Sequence, residues 1–267
     1  MFHPVHRTYR FTVLFFASLL TFGSYFAYDI IGALAPSLVE DLGAGRGTIG
    51  GFYTAYSVAA ILAVFGGGFL IDRLGTRRSS MLFSLLVLSG AVVVALAKTV
   101  PMLMVGRFIF GAGAEPLVVA QSAILARWFK NKEIALAFGI ALTVSRLGTL
   151  FAFNTGELIA DAFGGYHAGL WAAVIFCGVS LFGNVVYVLL DRRGEKVLPD
   201  LQESGNEEKI TFGDIAKLKP SFWYVTMLCV TFYSAIFPFT ALSTDFFTDK
   251  WGVQRVTESG GGFLSQV

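Results

Sequence analysis

The sequence predicts an all-α protein that crosses a membrane several times. Of its 267 residues, 55% are hydrophobic and only 14% are charged, a balance that ordinary water-soluble domains do not have. The apolar residues fall in continuous runs of about 20, enough to span a hydrocarbon core of ~30 Å at ~1.5 Å per residue. They do not alternate in the ~10-residue strands of a membrane barrel. Runs of this kind occupy residues 11–36, 48–71, 79–98, 101–126, 133–160, 167–190 and 221–243.

Composition also excludes classes. The net charge is only +2, and the basic residues are shared out among the segment ends, so nucleic acid is not a partner. No H-E-x-x-H helix, G-x-S-x-G elbow or pair of intramembrane aspartates is present, so the chain reads as neither an enzyme nor a cofactor protein. His3, His6 and His167 all stand near segment ends and offer no metal-ligand set. Cys177 and Cys229 lie inside apolar runs and read as packing residues. None of Asn131, Asn154, Asn184 and Asn206 begins an N-x-Ser/Thr sequon.

Residues 1–10 form a basic amino terminus, and the ~25-residue apolar run behind it exceeds a signal-peptide h-region, so the first segment is expected to be retained. With that terminus inside, the Lys and Arg residues on the cytosolic side are two before the first segment, three at 73–78, three at 127–132 and six at 192–219. The opposite side holds Arg46 and Lys98 before the seventh segment, so the amino terminus faces the cytosol.

Taken in order, the first segment places Thr21, Tyr25, Tyr28 and Asp29 on one helical face. Asp29 and Arg107 stand at matching depths in the outer leaflet and are expected to pair, whether to fix packing or to do more. The second segment ends in Gly68-Phe-Leu-Ile-Asp72-Arg73-Leu-Gly75-Thr-Arg77-Arg78. Its glycines allow a tight turn, Asp72 can face the positive end of a helix, and Arg77 or Arg78 can pair with a carboxylate or carbonyl.

The fourth segment carries Glu115 beside Pro116, which should loosen the preceding turn, and ends in the interface anchor Arg127-Trp128-Phe129. The fifth carries Arg146, with Asn154 and Glu157 on the same face. Glu115 and Arg146 each lie roughly 20 Å from the start of their segment, near mid-bilayer. A charge there costs on the order of 2.5–3.5 kcal/mol to insert, which marks both as functional candidates. Two readings stand: the pair neutralise each other as a buried salt bridge, or they clamp a zwitterion.

In the sixth segment Gly178, Ser180 and Asn184 read as helix contacts. Residues 191–220 form a cytosolic linker in which 210–218 predicts a short amphipathic interface helix. The seventh segment, with Tyr233, Phe237 and Pro238, reads as a proline-broken helix lining a cavity, and residues 244–267 as a tail with the start of an eighth.

The Gly68 to Arg78 string resembles the signature loop of the major facilitator superfamily, G-x-L-x-D-[RK]-x-G-x-R-[RK]. The phrases YRFTVLFFASLLTFGSYFAYDI, GRFIFGAGAEPLVVAQ, RWFKNKEIALAFG, SRLGT and FYSAIFPF narrow the resemblance to its lysosomal dipeptide transporters, from Tyr9 to about Gly252. The resemblance implies twelve helices in two halves, each a 3+3 inverted repeat, with substrate between the halves. On that basis residues 11–190 form the six-helix amino-terminal half and the chain is truncated after helix 7.

The resemblance further implies that Glu115 holds the amino terminus and Arg146 the carboxyl terminus of a dipeptide. Asn154, Tyr25, Tyr28, Tyr56 and Tyr233 then line the site, and Gly68, Asp72, Arg73, Gly75, Arg77 and Arg127 latch the cytosolic side. It also implies a lysosomal membrane and a heavily glycosylated accessory membrane protein, which suits a chain without sequons. Secondary-active transport and facilitated diffusion both remain as coupling modes. The competing readings are a seven-helix receptor, which the inside amino terminus opposes, and a structural fragment held by a Glu115–Arg146 salt bridge.

Overall fold

The computed structural model describes residues 6–43, 45–130, 133–197 and 218–251. The expected amphipathic helix at 210–218 lies, except for Leu218, outside the described residues, as does the start of an eighth helix. The described elements are α1 (Arg7–Ala33), α2 (Ala35–Leu42), α3 (Arg46–Ala95), α4 (Val100–Phe129), α5 (Ile134–Ala162), α6 (Tyr166–Glu195) and α7 (Pro220–Trp251). All but α2 are long and apolar enough to cross a membrane.

The first expected segment is shorter than the apolar run. Pro36 has no N–H for the Gly32 carbonyl, so α1 ends at Ala33, Leu34 leaves the helix at φ −92°, ψ 10°, and α2 begins.

α3 joins the second and third expected segments in one 50-residue element that turns at Gly75, where φ is 77° and ψ 163°. That conformation favours glycine. The chain reverses there: Tyr56 on the first arm packs against Gly111 of α4, and Val94 on the second arm packs against nearby Gly106. Residues far apart along α3 therefore lie at nearly one depth, and the two arms form a hairpin.

α3 packs along α4 and α6, while α1 packs along α5 and α6. Small and hydroxylated residues make these contacts, as expected where lipid provides no hydrophobic drive between helices. At the centre, Thr21 Oγ1 lies 2.6 Å from Ser145 Oγ and Gln121 Nε2 donates to the Ala17 carbonyl at 2.8 Å, joining α1, α5 and α4. Gly23 N–H donates to Ser180 Oγ at 2.9 Å, and Asn184 Nδ2 donates to Ser84 Oγ at 2.8 Å, which binds α6 to α1 and α3.

α7 keeps most of its apolar side chains on the outside. Two expectations about it change. It continues past residue 243 to Trp251, and it runs through Pro238 without a break in the helix. A membrane helix tolerates the one backbone bond that a proline removes.

Candidate functional site

α1, the first arm of α3, α4 and α7 line a half-open cavity of about 630 Å³. Tyr25 and Tyr28 line it from α1, Tyr56 and Ser57 from α3, Glu115 from α4 and Phe237 from α7. Glu115 is the one charged group among the lining residues. Its position depends on helix contact: a Cβ on Gly111 would collide with the Tyr56 backbone, so glycine lets α3 approach α4 until the phenol reaches the carboxylate. Tyr56 donates from its hydroxyl to Glu115 Oε1 at 2.6 Å.

Arg146 on α5 is half-buried, with its guanidinium 5.1 Å from the centre of the Tyr25 ring. Tyr25 thus presents one face of the cavity wall while carrying the cation. Among the described residues no ion pair joins Glu115 to Arg146. The salt-bridge reading is not the arrangement here, because each charge has its own aromatic partner: Tyr56 for the acid, Tyr25 for the base.

The expected Asp29–Arg107 pair is likewise not formed. Successive residues of a helix point about 100° apart. Tyr28 therefore turns toward α3 and α4, whereas buried Asp29 turns toward Thr149 and Arg146 of α5. Arg107 is 1% exposed and donates from Nη1 to the Ala27 carbonyl at 3.2 Å. Its guanidinium stands 5.2 Å from the rings of Tyr28 and Tyr56 and 5.3 Å from those of Tyr53 and Phe110.

Two expected lining residues stand elsewhere. Asn154 is exposed and donates to the Leu150 carbonyl of its own helix at 2.8 Å. Tyr233 stacks on Phe237 at 5.3 Å, so Phe237 faces the cavity with Tyr233 against it. Ser24 and Ser57, which line the cavity, carried no signal in the sequence beyond being polar in apolar runs.

At the cytosolic end the signature string meets an acid expected in the linker. Asp191 belongs to α6, is fully buried, and accepts from Arg77 Nε at 2.5 Å, from Arg127 Nη2 at 2.9 Å and from Trp128 Nε1 at 2.6 Å. Arg77 also pairs with Glu195, and Arg127 donates to Thr76 Oγ1 at 3.3 Å. Asp72 and Arg73 stay exposed, the latter over the Phe69 ring at 4.2 Å. Gly75 serves the backbone turn, whereas Gly68 is an ordinary helical position, and nothing lies within 4 Å of a Cβ at either. The signal that was available for Asp191 was an acid directly after an apolar run and directly before Arg192 and Arg193.

The family profile of the Major Facilitator Superfamily matches residues 17–263. The chain belongs to the Major Facilitator Superfamily. It is a multi-pass integral membrane protein of this family of transporters, and α1, the two arms of α3, α4, α5 and α6 supply the six crossings of one superfamily half. It is similar to the lysosomal dipeptide transporter MFSD1 of Danio rerio, with 36% identity over 95% of this chain and 58% of that protein. The human protein of the same name is 34% identical over 93% of this chain and 56% of its own length. The chain spans little more than half the length of these curated relatives. Its fold also resembles a crystal structure of the peptide transporter POT in complex with sulfate, with a TM-score of 0.55 and 19% identity over 91% of this chain and 47% of that one.

Proposed function

We propose that the chain builds one half, and the first helix of the other, of a transporter for small zwitterions, dipeptides foremost, working by alternating access. In this reading Glu115 binds the substrate ammonium and Arg146 its carboxylate. Residues 11–190 are the amino-terminal half, 191–220 the linker and 221–243 the core of helix 7. The observation that carries the reading is a cleft of about 630 Å³ whose lining includes Glu115, held by a phenol, and Tyr25, behind whose ring Arg146 stands unpaired with Glu115. That size falls within the ~300–1,000 Å³ of small-molecule sites. Two opposite charges kept apart beside one space suit a ligand that carries both charges, whereas a structural pair would have closed. The relatives' printed names, lysosomal dipeptide transporters, support the substrate class and a lysosomal membrane.

Uptake of a radiolabelled dipeptide by the full-length protein in proteoliposomes tests it. A hydrogen bond to a charged group contributes ~1.5–3 kcal/mol, so Glu115→Gln and Arg146→Ala are each expected to lower uptake at limiting substrate by roughly 10- to 150-fold. Near-normal uptake by both variants removes the clamp. Repeating the assay with and without an imposed pH gradient separates secondary-active from facilitated transport. A glycosylated accessory membrane protein belongs to the same proposal, and co-purification from native membranes tests that part.

A further inference from the structure

Arg107 is a full charge buried on a membrane helix; it forms no ion pair among the described residues, and buried Asp29 is the acid within electrostatic reach of it. Its Nη1 has the Ala27 carbonyl, while Nε and Nη2 have no hydrogen-bond partner among the described residues. The void beside it is about 10 Å³, lined by Ala27, Ile30, Leu170 and neighbours, which admits at most a water and no carboxylate. What surrounds the guanidinium instead is four ring faces, Tyr28 from α1, Tyr53 and Tyr56 from α3 and Phe110 from α4, all 5.2–5.3 Å away. Attraction between a cation and ring faces is stronger when both are desolvated, as here.

Two of the four rings, Tyr28 and Tyr56, are also walls of the cavity, and they meet edge to face at 4.8 Å. Tyr56 connects both ends of the arrangement. Its ring lies against Arg107 and its hydroxyl donates to Glu115, eight residues further along α4. A cation beside the phenol draws electron density from the ring and strengthens the O–H as a donor. Tyr28 also lies between the two, with its ring 5.2 Å from the Arg107 guanidinium and edge to face with Tyr56, but Tyr56 is the residue whose hydroxyl bonds Glu115.

We propose that Arg107 is a positioning residue for substrate binding, a caged cation that braces Tyr28 and Tyr56 and, through the Tyr56 hydroxyl, fixes the orientation of Glu115. This rests on the reading of Glu115 as the ammonium site. It also explains why arginine stands where a packing residue would be cheaper: removing the charge unpins the wall, and the acid behind it loses its hydrogen bond.

The test has two readouts on the full-length protein. Dipeptide uptake gives KM and maximal rate for wild type, R107M, R107K, Y56F and R107M/Y56F. Infrared difference spectra against E115Q, without substrate, give the carboxylate stretch of Glu115. R107M is expected to raise KM about tenfold with the maximal rate changed less than twofold, and R107K to restore KM to within about threefold of wild type. In the Y56F background R107M should raise KM by less than it does alone, since the route through the hydroxyl to Glu115 is already cut and only the bracing of the rings is left to lose. The carboxylate band in R107M should move to its position in Y56F and stay at the wild-type position in R107K. Multiplying effects of R107M and Y56F, or a wild-type band in R107M, overturns the proposal. Should R107M not reach the membrane, R107K is compared with wild type by the same band, and a shift to the Y56F position contradicts the proposal. A wild type that carries no dipeptide while the band behaves as expected condemns the substrate and leaves the positioning role standing.

Discussion

The Tyr56 hydroxyl donates to Glu115 Oε1 at 2.6 Å, linking the first arm of α3 to the centre of α4 across a gap of 59 residues in sequence. The same phenol is a wall of the cavity, so one contact both sets the charge and shapes the space around it. Tyr56→Phe removes the donor and keeps the ring. A hydrogen bond to a charged group contributes ~1.5–3 kcal/mol, so KM for dipeptide is expected to rise at least about tenfold in uptake measurements. An unchanged KM would show that Glu115 is held by something else.

Glycine at 111 makes that contact possible. A Cβ there would press on the Tyr56 backbone, whereas nothing lies within 4 Å of a Cβ at Gly68. Gly111→Ala is expected to destabilise the protein by about 1–3 kcal/mol, read as a lowered unfolding temperature in detergent, because the arm of α3 must move away. Gly68→Ala should be neutral or slightly stabilising, since alanine favours a helix. Equal effects at the two sites would contradict the packing described.

Among the described residues Asp191 joins two arginines at the cytosolic end. It is buried, and Arg77, Arg127 and Trp128 all donate to it. Asp191→Asn leaves Arg127 without its acid and Arg77 with Glu195 alone, and breaking a buried pair from one side costs about 3–5 kcal/mol. Asp72→Asn alters an exposed group and is expected to stay within about 0.5 kcal/mol. Thermal unfolding of the two variants side by side checks the contrast, and a D72N loss as large as that of D191N would place the hub at the wrong acid.

Much of the fold was legible because the solvent imposes it. Runs of about 20 apolar residues separated by basic loops leave few alternatives, and the Gly75 turn was marked by its charged, glycine-spaced string. Glu115 and Arg146 were visible because charges at mid-bilayer stand out against their segments. What the sequence did not show depends on helical phase and on partners far along the chain. Asp29 and Arg107 share a depth, but the 100° step from Tyr28 to Asp29 turns the acid toward α5 and leaves the base among rings. Tyr56 was one of several tyrosines until α3 folded back on α4. Asp191 was hidden by the end of an apolar run, where a helix that continues to Glu195 looks the same as the start of a linker.

In the proposed assignment Glu115 reads the amino end and Arg146 the carboxyl end of one substrate. Competition of dipeptide uptake by N-acetylated and by C-amidated dipeptides, in wild type, Glu115→Gln and Arg146→Gln, tests it most directly. The wild type should bind each blocked peptide at least about tenfold more weakly than the free dipeptide, because each lacks one charge-assisted hydrogen bond. Glu115→Gln should lose the discrimination against N-acetylation while keeping that against amidation, and Arg146→Gln should do the reverse. Both variants retaining both discriminations, or each losing both equally, would contradict the assignment.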